Sequence, residues 1–541
     1  MASLDRRSLL KGAAGVAALG ATQPALMMPT PAHAQERVLR YGISLADIPQ
    51  PTGQPDRGAG AYQFTGYTIY DPLVAWEMNV ADRPGKLVPG LATEWAWDPA
   101  DKKKWAFKLR PGVKFHDGSA FNADAVIWNF EKVLNKDAPH FDQRQAAQVR
   151  PRLPSVASYR KVDDMTVEVT TKSVDSIFPY QMLWFLISSP AQFEAVGRDW
   201  NKFAQTPSGT GPFKLGKFVP REQAELIKNP DYWDKNRIAK VDKIVLVCVP
   251  ETLTRTNALL TGAVDMIEAP APDTVARLKQ GGMRIIDNIT PHVWNYHLSM
   301  LPGSPWLDKR IRMAANLAVD RDGIVNLMGG LAKPAYGQVD PTSPWFGKPE
   351  FKLRYDMDEA RKLMKDAGFT PSSPLTTKFL IASGGTGQML SIPINEAIQQ
   401  SFGEIGIKLE FQVVELEVLY TAWRQGAAHE SLKGITANNV AYVTSDPLYA
   451  FIRFFHSNQI APTGVNWGHY KNAELDGFID KALNTQDAAE QDALMAKVHE
   501  HVVNEALLVW VVHDTNPHAA SPAVKGYTQA QHWFQDLTTL S

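Results

Sequence analysis

The stretch Trp105-Ala106-Phe107-Lys108-Leu109-Arg110-Pro111-Gly112-Val113-Lys114-Phe115-His116-Asp117-Gly118 decides the reading of this chain, together with Pro89-Gly90-Leu91-Ala92-Thr93-Glu94-Trp95 before it and Phe121-Asn122-Ala123-Asp124-Ala125-Val126 after it. Residues 105–109 read as a strand, and the Pro-Gly and Asp-Gly pairs mark turns. Asn122 is placed to cap a helix over 123–134, whose apolar residues Val126, Ile127, Phe130 and Val133 recur at helical spacing, with Asp124 in the favourable first turn. Trp95, Trp105 and Phe115 read as core residues.

Outward from this stretch, strand-like and helix-like segments keep alternating. Residues 38–43 and 378–381 read as strands, and residues 358–367 as a helix capped by Asp356 or Asp358 and ending near Gly368. The class is α/β or mixed α+β, and no fixed-period repeat points to a solenoid or propeller. At 541 residues the chain exceeds what one hydrophobic core sustains, so at least two lobes are expected. A joint between them is read where Ile285-Ile286-Asp287-Asn288-Ile289 passes through Thr290-Pro291 into the alternating run 292–298. A second joint is read after the apolar run 507–512, which would return the last residues to the first lobe.

Hydrophobic residues at 44% and charged residues at 21% describe an ordinary folded protein. The N-terminus differs: Arg6, Arg7 and Lys11 precede an Ala/Gly-rich stretch, and Ala32-His33-Ala34 has the small-x-small form of a cleavage site. Residues 1–34 read as an export signal, and Arg6-Arg7 with Leu9 and Lys11 resembles the twin-arginine type. Its removal takes a net +2 with it, moving the formal charge from −1 to −3 and leaving no electrostatic footprint for nucleic acid. No later run reaches the roughly 20 apolar residues of a membrane span. Cys248, in the apolar run 244–249, is expected to be a buried strand residue rather than a reactive thiol.

The quoted stretch also resembles the family 5 extracellular solute-binding proteins, which include dipeptide and oligopeptide receptors of ABC importers. The resemblance recurs at Gly209-Thr210-Gly211-Pro212-Phe213, Lys228-Asn229-Pro230-Asp231-Tyr232-Trp233, Ala318-Val319-Asp320-Arg321 and Tyr470-Lys471-Asn472-Ala473-Glu474-Leu475-Asp476. It implies a periplasmic-binding-protein-like α/β fold of two lobes joined by hinge strands, with a subdomain inserted in the first. On this chain the first lobe would span 35–288, the second 289–514, and residues 515–541 would return to the first. It further implies a periplasmic monomer without cofactor, taking a peptide or other small organic solute and delivering it to a membrane permease.

In the peptide readers of that family an Asp near an Asp-Pro pair holds the ligand's amine and an Arg on a second-lobe helix its carboxylate. Here the pair is Asp446-Pro447, but the amine position reads Val443, and Ile392 and Pro393 stand where arginines would fall. An ordinary dipeptide loses both charged partners in that register. The remaining candidates for ligand contact are Trp294, Asn295, Gly385, Thr386, Tyr420, Asn438, Asn439, Tyr442, Thr444, Asp446 and Trp467, with Tyr70, Trp76 and Trp423 as further aromatics. Gly385 and Thr386 enter through the turn 383–388, whose exposed N–H groups suit an oxygen acceptor.

The rival classes are a ligand-presenting partner of a chemoreceptor, which uses the same cleft, and a secreted hydrolase. The hydrolase lacks residues: no Gly-x-Ser-x-Gly elbow occurs. The histidines of His499-Glu500-His501 diverge on a helix, and His292 and His297 fall on opposite faces of a strand. No catalytic or metal site is expected.

Overall fold

The computed structural model describes residues 36–541 apart from 56–60 and 385–387. Its fold follows from two large sheets. The seven-stranded sheet runs, in spatial order, Arg284–Ile286, His518–Ala520, Met266–Glu268, Val38–Ile43, Lys243–Cys248, Gln223–Lys228 and Phe213–Val219. Val38–Ile43 is parallel to both its neighbours and the remaining pairs are antiparallel.

The six-stranded sheet runs Ala332–Pro334, Leu508–Asp514, His292–Leu298, Ala437–Val443, Leu375–Ala382 and Ile407–Val414. Every residue of His292–Leu298 and of Leu508–Asp514 is buried. The alternation read in 292–298 therefore does not separate a wet face from a dry one. Each face carries its own core: Val293, Val440 and Trp510 belong to one, Trp294, Tyr296 and Val509 to the other.

Between the first strand and the rest of the seven-stranded sheet, the chain builds a four-stranded antiparallel sheet in the order Ala92–Asp98, Asp101–Leu109, Thr166–Thr171, Val156–Asp163. The helix Ala123–Leu134 covers it, starting where the Asn122 side chain accepts the Ala125 N–H at 3.0 Å. Phe130 on its inner side stacks between Tyr159 and Phe185, with ring centroids 4.8 and 4.2 Å away. Asp356, rather than Asp358, caps the helix Met357–Asp366. Cys248 ends its strand half-buried, a correction to the expected full burial: the inward positions of that strand are Ile244 and Leu246.

The chain leaves the first sheet after Ile286, enters the second at His292, and returns between Asp514 and His518. The two crossings are bonded to each other: the Thr290 N–H and hydroxyl both donate to the Asp514 carbonyl, at 2.9 and 2.8 Å, and the Asn288 N–H reaches the Thr515 carbonyl at 3.4 Å. Mixed α/β architecture, two lobes and an inserted subdomain are all present. Residues 1–34, read as an export signal, lie outside the described residues.

Candidate functional site

A cavity of about 870 Å³ lies where the two lobes and the crossings meet. Its first-lobe wall is aromatic. Trp76 ends the short strand Val74–Trp76, Trp95 and Trp105 come from neighbouring strands of the inserted sheet, Tyr180 from the helix Phe178–Met182, and His532 from the C-terminal return. The crossing contributes Ile289, Thr290 and Pro291, and the second lobe Val339, Asp340, Trp345, Thr444, Ser445 and Asp492. Thr444 is fixed by its own backbone: its N–H donates to the Pro291 carbonyl at 2.6 Å, joining the end of a second-lobe strand to the crossing. Size and mixed lining are those of a small-molecule site.

Charge on the walls is mostly engaged. Arg83 makes a two-pronged pair with Glu77, at 2.7 and 3.1 Å. Asp340 accepts the Thr342 N–H and hydroxyl, and Asp492 accepts the Trp345 indole N–H at 2.8 Å while burial raises its pKa. By contrast, Trp76 Nε1, Trp105 Nε1, His532 Nε2, Thr444 Oγ1 and Ser445 Oγ are buried without a hydrogen-bond partner among the described residues. Leaving such a group unmatched costs about 1–3 kcal/mol.

The lobes also touch directly beside the cavity. The Ser176 N–H donates to the Leu483 carbonyl at 3.0 Å and its hydroxyl to the Ala482 carbonyl at 2.7 Å, while Gln491 Nε2 donates to that hydroxyl at 2.8 Å. Ile177, next in sequence, packs into the core of the second lobe.

The described residues among those singled out from sequence separate into five places. Thr444 and Trp76 line the cavity. Asp446 lies beyond it, its Oδ1 accepting the Tyr449 N–H at 2.9 Å, in a small pocket with Arg152, Tyr180 and Trp184; burial pushes its pKa up to about 7. Asn295, Asn438, Tyr442, Trp423, Trp467 and the half-buried Tyr420 gather on or against one face of the six-stranded sheet. Trp294 and Asn439 belong to the opposite face, where Asn439 Nδ2 donates to the Asn295 carbonyl at 2.9 Å. Tyr70 is fully buried in the first-lobe core, and its hydroxyl donates to the Pro51 carbonyl. Gly385 and Thr386 lie outside the described residues. Val443 and Ile392 are half-buried where the charged anchors of the peptide readers were looked for.

Tyr180, Trp345, Asp340, Asp492 and His532 were not found from sequence. They come from separate elements that only the fold assembles. Trp105 was read as core, and it is both: 3% exposed within the first-lobe core and a cavity wall.

The profile of the bacterial extracellular solute-binding proteins, family 5, matches residues 86–462. The chain belongs to this family. Among relatives of this family 5 protein, the periplasmic oligopeptide-binding protein OppA of Escherichia coli K12 is 26% identical over 98% of the chain and 97% of its own length. The glutathione-binding protein GsiB of Pectobacterium atrosepticum is 26% identical over 86% and 89%. Two solved structures share the fold: HbpA2 of Haemophilus parasuis, with a TM-score of 0.77 at 21% identity over 93% of the chain and 99% of its own, and a dipeptide-binding protein of Pseudoalteromonas in complex with Met-Leu, with 0.72 at 21% over the same shares.

Family membership fits the histidines that a hydrolase would need. His499 is held inside the fold, its Nδ1 on the Phe346 carbonyl at 2.7 Å and its Nε2 accepting the Gln338 N–H at 3.0 Å, and His501 bonds the Tyr470 hydroxyl. His292 Nδ1 lies 3.2 Å from the Asp514 carboxylate, and His297 packs between Trp423 and Phe454. Among the described residues no cluster of three or more His, Cys, Asp or Glu is arranged to hold a metal ion, and no helix is long and apolar enough to cross a membrane.

Proposed function

We propose that this family 5 protein is a monomeric periplasmic receptor that captures a short peptide or similarly sized organic solute between its lobes and hands it, chemically unchanged, to the permease of an ABC importer. The observation that carries this reading is the cavity of about 870 Å³ bounded by both lobes and by the crossing. A solute held there touches both halves, so it binds the closed arrangement better than the open one and shifts the equilibrium toward it. The reading takes 35–288 with 515–541 as one lobe and 289–514 as the other, and residues 1–34 as an export signal of the twin-arginine type. Relatives named for oligopeptides and glutathione, and a neighbour holding Met-Leu, support trying short peptides first.

Calorimetry and small-angle scattering against a library of di- to pentapeptides and small organic acids test the reading. At least one member should release or absorb heat, contract the scattering profile and be recovered intact. A library with no binder and no contraction, or turnover of a binder, overturns it.

A further inference from the structure

One carboxylate on the cavity wall is held at one oxygen and open at the other. Asp492, on the second-lobe helix Ala488–Asn504, accepts the Trp345 indole N–H through Oδ1 at 2.8 Å. Its Oδ2 accepts no hydrogen bond among the described residues and, unlike the Oδ2 of Asp446, is not sealed from solvent; the residue is half-buried. Burial raises the Asp492 pKa, while the Trp345 N–H and the charge of Lys86 on the first lobe oppose that rise. Lys86 is exposed and acts through space, without forming an ion pair with Asp492.

The first lobe comes close to this carboxylate. Gln491, its neighbour in sequence, donates through Nε2 to the Ser176 hydroxyl at 2.8 Å, and the helix Phe178–Met182 that follows Ser176 carries Tyr180 to the facing wall. After burial, the Asp492 charge is the strongest influence raising the pKa of the Tyr180 hydroxyl. The rings of Tyr180 and Trp95, both half-buried, and that of Trp345 border the same cavity.

We propose that the solute carries an ammonium group and that Asp492 is the residue that reads it, through the open Oδ2. The inference rests on the cleft being the solute site. With Arg83 held by Glu77, the unpaired charges of the lining, among the described residues, are Lys86 on the first lobe and Asp340 and Asp492 on the second. The second-lobe wall is therefore purely negative. A neutral N–H would satisfy the oxygen, but only a cation also offsets a charge that burial disfavours. Aromatic faces bordering the cavity add attraction for a cation, whether or not it is alkylated. The reader of charge thus stands on the helix Ala488–Asn504, apart from Val443 at the end of its strand.

The test uses a panel of dipeptides with apolar side chains, Met-Leu among them, each with its amino group free, trimethylated or acetylated. The first two forms are cations and the third is neutral. Calorimetry at pH 7 on the wild-type protein should give at least one cationic form an affinity about tenfold or more above the acetylated form. Preference for the free ammonium assigns hydrogen bonding to Oδ2, and preference for the trimethylated form assigns the aromatic faces as the larger contribution; either supports the inference. Asp492→Asn keeps an oxygen for the Trp345 N–H and removes the charge, so it should weaken the cationic forms about tenfold and close the gap to the acetylated one. Equal or tighter binding of the acetylated form to the wild-type protein overturns the inference and leaves the receptor reading standing. A preference for the cation that survives in Asp492→Asn overturns the assignment to this residue. Failure of every member in all three forms overturns the peptide reading and this inference with it.

Discussion

Two regions of this molecule combine aromatic rings with buried polar atoms that have no partner among the described residues, and they serve opposite ends. One is the cavity between the lobes, with Trp76, Trp105, His532, Thr444 and Ser445. The other is the face of the six-stranded sheet where Asn295, Asn438, Trp423 and Trp467 are sealed in the core of the second lobe. Residue types are nearly the same in both. What separates them is that the first borders open volume contributed by two lobes, whereas the second is packed within one. Residues of the first region border the space a guest would occupy; those of the second are held within a core.

The largest effect should come from the sealed face. Trp467 is fully buried, so Trp467→Ala should cost about 3–5 kcal/mol in denaturant unfolding while the folded remainder binds solute with unchanged affinity. A loss of affinity without loss of stability would merge the two regions and break the comparison.

Asp446 lies at their border. Its pKa is raised by burial to about 7 in the folded chain, against about 4 unfolded, so between these values the native state holds the proton more tightly and stability falls as pH rises. Asp446→Asn keeps an acceptor for the Tyr449 N–H and abolishes that slope. It should stabilise the protein by roughly 1–3 kcal/mol at pH 8 and by little at pH 4, read from paired melts across pH.

The smallest effect belongs to the rim. Ser176→Ala removes the hydroxyl that bridges Ala482 and Gln491, and should loosen the contact between the lobes by about 1 kcal/mol or less. Scattering without solute should show a slight expansion, with the melting temperature nearly unmoved. A large drop in melting temperature would mean that this contact stabilises the fold rather than its closure.

Local features were legible in the sequence. The helix over 123–134 could be read because its cap, its first-turn acid and its apolar spacing all lie within a few residues of one another. Its bounds agree with the structure residue for residue. The strand 292–298 was placed, but its burial on both faces was not, since that depends on two cores supplied by distant segments. The site was harder for the same reason. Thr444 could be reached because it stands two residues before the Asp446-Pro447 pair on which the family resemblance rests. Tyr180, Trp345 and His532 could not, because residues more than 150 positions apart become neighbours only once both lobes exist. Trp105 shows the limit from the other side: membership of a core and of a cavity wall are compatible, and sequence pattern reports only the first.

The strand His518–Ala520 lies between Met266–Glu268 and Arg284–Ile286 and is, among the described residues, the sole strand through which the latter joins its sheet. The lobe that begins first along the chain is thus finished last. During synthesis the second lobe has its complete set of strands when Asp514 emerges, while the first still holds a gap at its edge. Cleavage or premature termination just after residue 514 would leave a well-formed second lobe attached to a sheet with an unpaired edge, an invitation to aggregation.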